Sequence, residues 1–233
     1  MKILKSDKFV SDVIGYKSFI SFHKISESFI EKIKPPFFIT IKSKKKLNYK
    51  IKNKRYFTNF NSKLVNLERK FKKNVNVYVN CRLSQNKDKN QLLKIVNKKN
   101  LNSRFIKDKY LSKKFKNNFK KKWILNYFRK KRGDFLIVAY TKKTIMGFIL
   151  LIKKKSYLRI DLIQTKSKFQ KRKVASSLIN FVNNNYLLKN QKIVAGTQDN
   201  NIEALKMYKN LGFKKYRSPL YIYHIHNKKF KSR

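Results

Sequence analysis

Residues Thr197–Phe213 read TQDNNIEALKMYKNLGF. Asp199 and Asn200 form a polar turn at the start of this run. Asn201, Ala204, Leu205, Tyr208 and Leu211 then recur at helical spacing, so they share one face of a helix over 201–211. Gly212 follows where a helix commonly ends, because glycine accepts the left-handed backbone of a C-cap. The shared face carries an amide, a small residue and a phenol. Immediately upstream, Lys192–Thr197 reads as a strand and Gln170–Leu188 as a helix. Phe135–Tyr140, Ile145–Ile152 and Tyr157–Thr165 are consecutive strand candidates joined by short lysine or threonine turns, entered through a turn at Gly133-Asp134. Asp108–Lys130 predicts a helix with Tyr110, Phe115, Phe119, Trp123 and Phe128 as its apolar members, and Phe213–His226 closes the pattern as a strand. The order is therefore helix, three antiparallel strands, helix, strand, helix, strand. No internal repeat is evident.

The first hundred residues read as a mixed α/β lobe over 1–98, preceding the clearer unit at 99–233. Phe9–Phe22 mixes aromatic and β-branched residues around a break at Gly15. Phe37–Ile41, after Pro35-Pro36, predicts a short strand. Val75, Val77, Val79 and Cys81 alternate with Asn74, Asn76, Tyr78 and Asn80, the pattern of a half-buried strand. Gln85–Val96 predicts a helix. The lysine-rich stretch 42–55 predicts loop and edge strand, its charges discouraging further pairing.

The charge invites a functional reading: 61 Lys+Arg against 11 Asp+Glu give a formal net charge of +50 in 233 residues. Such a balance favours polyanions: nucleic acid, anionic lipid or phosphorylated substrates. Lysine, however, outnumbers arginine about five to one, and asparagine, isoleucine and phenylalanine abound. That is the residue set of AT-rich codons, which raises lysine without selection for binding. The lysines also run throughout the chain rather than forming one stripe, so no specific nucleic-acid partner is expected. A hydrophobic fraction of 41% leaves enough apolar material for a core. The single cysteine, Cys81, excludes an internal disulfide framework and fits a reducing, cytoplasmic setting. No apolar run approaches the roughly 18–20 residues that span a bilayer. The opening MKILKSDKF lacks the apolar segment of a signal peptide.

Between Thr165 and the following helix lies Gln170-Lys171-Arg172-Lys173-Val174-Ala175, with Ser176 and Ser177 next. Small residues in a first helical turn let an anion approach the unpaired N–H groups there, and three adjacent cations strengthen the attraction. His224 and His226 lie two apart in a strand and share a face. A metal pair would need further ligands, so no metal is expected; a packed strand histidine and a pocket-lining one both remain open.

These motifs together resemble the acetyl-CoA-dependent N-acetyltransferases of the GNAT superfamily. In that family an Asn-x-x-Ala-x-x-x-Tyr helix ends in Gly-Phe, and a Gln/Arg-x-x-Gly-x-Gly/Ala loop holds the pyrophosphate of coenzyme A. The resemblance implies a mixed, mostly antiparallel central sheet flanked by helices, with acetyl-CoA as co-substrate. It implies cofactor contacts from Gln170, Lys171, Arg172, Lys173, Val174, Ala175 and Asn201. It also implies a backbone N–H near Ile163 to Thr165 for the thioester oxygen, and Tyr208 as the acid that protonates the departing thiolate. A tyrosine with a pKa of about 10 is protonated at neutral pH and suits that role. Position 173 departs from the pattern: lysine stands where the family has glycine. For the base that deprotonates the amine, Asp161, Asp199, Glu203 and a water relay stay open.

A second signature narrows the likeness. Ser103-Arg104-Phe105, Asp108, Trp123-Ile124 and Asn126, with Ala195-Gly196-Thr197-Gln198 and Tyr221-Ile222-Tyr223-His224, resemble the nucleotide-sugar amine acetyltransferases, of the dTDP-fucosamine (dTDP-4-amino-4,6-dideoxygalactose) type. The detailed similarity covers 102–226, and Asp12, Gly15 and Tyr16 are similar to that family's N-terminal lobe. The resemblance implies a nucleotide-sugar amine acceptor approached by Arg104, Asn126 and His224, in surface-polysaccharide biosynthesis. A homodimer is compatible with it. Two rivals stay open: the same chemistry on a peptide amine, and a non-catalytic nucleic-acid- or ribosome-binding protein on a degenerate scaffold.

Overall fold

A computed structural model describes residues 4–48, 51–53, 55–96 and 103–227, and for 57–61 the backbone alone. In chain order its elements are β1 (Lys5–Ser6), α1 (Lys8–Ile14), β2 (Lys17–Ser21), α2 (Glu27–Glu31), β3 (Phe37–Ser43), β4 (Tyr56–Lys70), β5 (Cys81–Leu83), α3 (Lys89–Val96), α4 (Arg104–Lys107), α5 (Lys113–Phe128), β6 (Phe135–Tyr140), β7 (Ile145–Lys154), β8 (Tyr157–Thr165), α6 (Val174–Tyr186), β9 (Lys192–Gln198), α7 (Ile202–Asn210) and β10 (Lys214–Asn227). The strands form one 10-stranded sheet in the order β1-β2-β3-β10-β4-β9-β8-β7-β6-β5. Pairing is antiparallel except for β2–β3 and β8–β9.

The predicted meander of β6, β7 and β8 forms, and its apolar runs have a simple cause. Helices cover both faces of these strands, so both side-chain sets are buried. Met146, Ile149 and Leu151 pack with Val174, Leu178 and Val182 under α6. Phe148 and Leu150 pack with Leu92, Ile95 and Ile124 under α3 and α5. A bulge interrupts β8 at Asp161, where the β7 partner shifts between Leu150 and Leu151.

Several boundaries differ from the periodicity. The α5 helix begins at Lys113 rather than 108, because the Ser112 side chain caps the Phe115 N–H at 3.1 Å. The α6 helix begins at Val174 rather than 170. Lys171 and Lys173 both take positive φ, 60° and 55°, which keeps 170–173 out of the helix.

The alternating stretch 74–80 is not a strand; only Cys81–Leu83 pairs, with β6. Side chains of α6 take the place of a neighbouring strand. Asn183 bonds Lys72 N and Lys72 O at 3.1 and 2.7 Å, Asn180 bonds Asn76 O at 2.7 Å, and Ser177 bonds Tyr78 N at 2.9 Å. The backbone groups are satisfied without a ladder.

The end of β3, Lys42–Ser43, pairs with β10 alone, because the β2 pairing stops at Ser21 opposite Ile41, so this end of the strand is an edge. Residues 49, 50 and 54 of the lysine-rich stretch lie outside the described residues, as does the expected lobe boundary at 98/99. Both expected parts contribute to one sheet, since β4 lies between β9 and β10.

Candidate active site

The parallel strands β8 and β9 pair only at Tyr157–Arg159 with Lys192–Val194. Beyond Arg159 they part. β9 continues along β4 as far as Gln198 opposite Leu64, while β8 continues along β7 to Thr165 opposite Gly147. The Asp161 bulge, which sharpens strand twist, stands at the parting. The wedge exposes the edge of β8 from Ile160 to Thr165, including Ile163 and Thr165, where β9 no longer supplies partners.

The Gln170–Ala175 loop follows directly from that wedge. Lys173 is the N-cap of α6 and its side chain makes no capping bond. No capping side chain of Lys173 therefore covers the first-turn N–H groups of Val174 and its neighbours, the kind of helix start that attracts an anion. A lysine in the left-handed region costs about 1 kcal/mol. Its ammonium lies 4.0 Å from the Tyr78 ring centroid. A close approach holds the loop in place. A methyl added at Gly147 would meet Gln164 O and Val174 Cγ1, each at 2.9 Å. Gly147→Ala is therefore expected to cost about 1–3 kcal/mol in thermal denaturation. Gly196→Ala, whose methyl would meet only the Leu64 side chain from 3.3 Å outward, is the milder control.

Asn201 caps α7. Its side chain accepts from Ala204 N at 3.4 Å and donates to Thr197 Oγ1 at 3.1 Å, so it ties the helix start to the end of β9. Tyr208 is 3% exposed and belongs to the core that also contains Val174. Its ring packs on Phe213 at 5.0 Å. Burial pushes the phenol well above its ordinary pKa of 10.0, so it is protonated at neutral pH.

The opposite face of the sheet carries α1, α4 and α5. Leu158 and Ile160 point into the core under α6, so the intervening Arg159 points to this second face. Arg159, Arg104 and Asp7 all act electrostatically on Lys42 of β3. Burial, with repulsion from Arg104 and Arg159, lowers the Lys42 ammonium to about 8. Lys42 and Arg159 were hidden in the sequence, because nothing local distinguishes them among 61 basic residues.

Of the open base candidates, Asp161 has both oxygens held by Arg132, at 2.6 and 2.8 Å. The Arg132 guanidinium in turn lies over the Phe9 and Trp123 rings, at 4.7 and 5.5 Å. Asp199 exchanges hydrogen bonds with the Lys63 backbone in the middle of β4. Glu203 is exposed in the first turn of α7.

The acceptor-side candidates separate. Arg104 is half-buried on α4, its guanidinium 4.3 Å from the Phe105 ring centroid. Asn126 is buried near the end of α5, where its carbonyl accepts from Lys131 and Arg132 N–H groups. His224 is fully enclosed rather than lining an open surface. Its Nδ1–H donates to Asp108 Oδ2 at 2.5 Å, and His226 Nε2 bonds the same oxygen at 2.9 Å. These three residues hold their ligand-type atoms within 4.8 Å of one another. With both nitrogens bonded to one carboxylate oxygen, they clasp the α4–α5 turn to β10. Burial lowers His224 to about 4, against the pull of the Asp108 hydrogen bond, so His224 is neutral at pH 7. Burial works to raise the Asp108 carboxyl, but the hydrogen bonds from His224 and His226 outweigh it and hold it below the usual range. Asp108 and the His-x-His pair were each visible in the sequence; their junction was not.

A cavity of about 510 Å³ opens beside the loop between α6 and α7. Lys171, Lys173 and Ser176 line it at the loop, and Asn180, Arg69 and Leu211 further down the helices.

A family model described as an acetyltransferase (GNAT) domain matches residues 86–227. The spore coat polysaccharide biosynthesis protein SpsD of Bacillus subtilis (strain 168) is 28% identical over 124 residues. That match spans 53% of this chain and 42% of SpsD, so less than half of the relative's length is represented. A functionally unknown conserved protein from Staphylococcus epidermidis ATCC 12228 superposes with a TM-score of 0.60 at 13% identity, over 92% of this chain and 85% of that one. A GNAT-family acetyltransferase from Colwellia psychrerythraea gives 0.50 at 9% identity, over 72% and 57%. At these identities the superpositions show the fold alone. No helix among the described residues is long and apolar enough to cross a membrane.

Proposed function

The chain belongs to the GNAT acetyltransferase family, and we propose that it transfers the acetyl group of acetyl-CoA to the amine of a nucleotide-activated deoxyamino sugar. The wedge between β8 and β9 carries the reading. It opens between a face with an uncapped helix start and a face with Lys42, Arg104 and Arg159 gathered on it. Two polyanionic substrates can meet there from opposite sides. The distant likeness to a polysaccharide biosynthesis protein supports a sugar acceptor.

In this mechanism the Gln170–Ala175 loop holds the cofactor pyrophosphate on the α6 N-terminus. The neutral amine attacks the thioester carbon, and the oxygen takes up negative charge. A backbone N–H on the free edge of β8, at Ile163 or Thr165, stabilises that charge. The C–S bond then breaks, Tyr208 gives the sulfur its proton, and the nitrogen loses a proton to water, from which the Tyr208 phenolate is reprotonated. The diphosphate of the acceptor lies toward Arg104, Arg159 and Lys42, with Asn126 near the sugar. Both substrates are polyanions that do not cross a bilayer unaided, and in this reading the product feeds surface polysaccharide synthesis.

Steady-state assays with acetyl-CoA and dTDP-4-amino-4,6-dideoxygalactose test the proposal. Turnover of the sugar, with KM for the sugar raised about tenfold or more by Arg104→Met, is the expected result. Turnover of peptide amines alone would overturn the acceptor. Absence of acetyl-CoA binding in low-salt calorimetry would overturn the enzyme reading altogether.

Lys173→Gly is expected to stabilise the protein by about 1 kcal/mol, since glycine relieves the left-handed strain. Acetyl-CoA affinity should stay within about threefold. A large affinity loss would instead identify the ammonium as a phosphate ligand.

A further inference from the structure

Arg69 of β4 is 3% exposed. Its Nη1 donates to Asn180 Oδ1 of α6 at 3.0 Å and to Leu211 O at the end of α7 at 3.2 Å. The guanidinium also lies 5.5 Å from the Phe213 ring centroid. Nε and Nη2 are sealed from solvent without a hydrogen-bond partner. Burial lowers this group to about 10, and no carboxylate acts to restore it. It therefore carries its charge at neutral pH. A buried guanidinium without a counter-ion is costly, whereas an apolar residue of similar length would be tolerated there. An anion in the adjoining cavity would compensate this charge through its field, although Nε and Nη2 themselves do not open to that cavity.

The cavity between α6 and α7 lies against it. Arg69, Lys72, Lys171 and Lys173 line that cavity, and among the described residues no carboxylate does. The Lys72 ammonium crosses the end of α7, 2.7 Å from where a methyl on Gly212 would stand. Arg69 and Lys72 thus both approach the end of α7. Lys171, Lys173 and Ser176 mark the other part of the cavity, one turn of α6 above Asn180. That turn rises about 5.4 Å, comparable to the span of a ribose. Tyr78, also in the lining and 53% exposed, offers an aromatic surface to a base.

From this arrangement we infer that Arg69 and Lys72 form a phosphate-monoester site, and that its occupant is the ribose 3′-phosphate of coenzyme A. The inference rests on acetyl-CoA being the co-substrate. With the pyrophosphate at the Gln170–Ala175 loop, the ribose follows the cavity and its 3′-phosphate reaches the two cations. The site then selects the phosphorylated cofactor over its dephospho form.

Calorimetry with acetyl-CoA, 3′-dephospho-acetyl-CoA, adenosine 3′,5′-bisphosphate and inorganic phosphate tests this. Wild type should bind acetyl-CoA about 10- to 100-fold more tightly than the dephospho form, the effect expected of charge-assisted hydrogen bonds. Arg69→Gln and the surface variant Lys72→Met should each reduce that ratio, while leaving dephospho affinity within about twofold. Adenosine 3′,5′-bisphosphate should compete with acetyl-CoA. Equal binding of both cofactors by wild type overturns the inference but not the acetyltransferase reading. Binding of inorganic phosphate at the site with no cofactor preference assigns the pocket to free phosphate and also overturns it. Failure of both cofactors to bind overturns the reading on which it rests. The comparison of cofactors on wild type and the Lys72→Met result stand even if Arg69→Gln does not fold.

Discussion

Tyr208→Phe is expected to lower kcat by about 10²- to 10³-fold while acetyl-CoA binding stays within about twofold. The substitution removes one hydroxyl and keeps the ring, so the packing on Phe213 and the surrounding core persists. Burial keeps the phenol protonated throughout the physiological range. The same burial makes it a weaker acid. In the proposed mechanism its contribution is a proton offered to the sulfur as charge develops there, an interaction absent from the ground state. Calorimetry and steady-state kinetics on the same preparation separate the outcomes. Unchanged kcat removes Tyr208 from the acid role. A parallel loss of binding and turnover makes it a packing residue instead.

The second large effect concerns the clasp at Asp108. Asp108→Ala leaves the donors of His224 and His226 without their common acceptor, in a region where both histidines are buried. Each unsatisfied donor costs about 1–3 kcal/mol, so a loss of about 3 kcal/mol is expected in chemical denaturation. Asp108→Asn keeps an acceptor oxygen and should recover part of it. Stability equal to wild type in Asp108→Ala would show that the clasp contributes nothing.

The clasp also gives the fold an acid limit. The folded His224 titrates at about 4, below the ordinary 6.5, so its contribution is present above pH 6.5 and lost as pH falls toward 4. The difference corresponds to about 3 kcal/mol. Asp108 is also depressed, and its contribution is lost at still lower pH, below the ordinary carboxylate range. Denaturation midpoints measured from pH 7 to pH 4 should therefore fall steadily. A flat profile would contradict the assignment of a neutral, enclosed His224.

Much of the catalytic half was legible because its signals are local. The runs of β6, β7 and β8, and the 3.6-residue period in α6 and α7, repeat within a single element, so each could be read without knowing its neighbours. The same method misread 74–80. Alternation there was real, but Asn180, Asn183 and Ser177 on α6 supply the partners that a strand would have supplied. It also passed over β4, whose mixture of Phe, Asn and Lys has no clear period. That segment is a strand because β9 and β10 offer it two edges.

The helix at 201–211 thus followed from residue order alone, and with it the resemblance to the family. Left-handed lysines at 171 and 173, the wedge beyond Arg159 and the junction of Asp108 with His224 required the folded chain. So did the distinction of Arg69 and Lys42 from the other basic residues. The physical reason is common to all of them. Periodicity is a property of neighbours in sequence, whereas pairing, desolvation and charge compensation depend on groups that the sheet brings together from distant segments. A lysine or arginine acquires a particular role only when burial removes its water and the fold decides whether an anion replaces it.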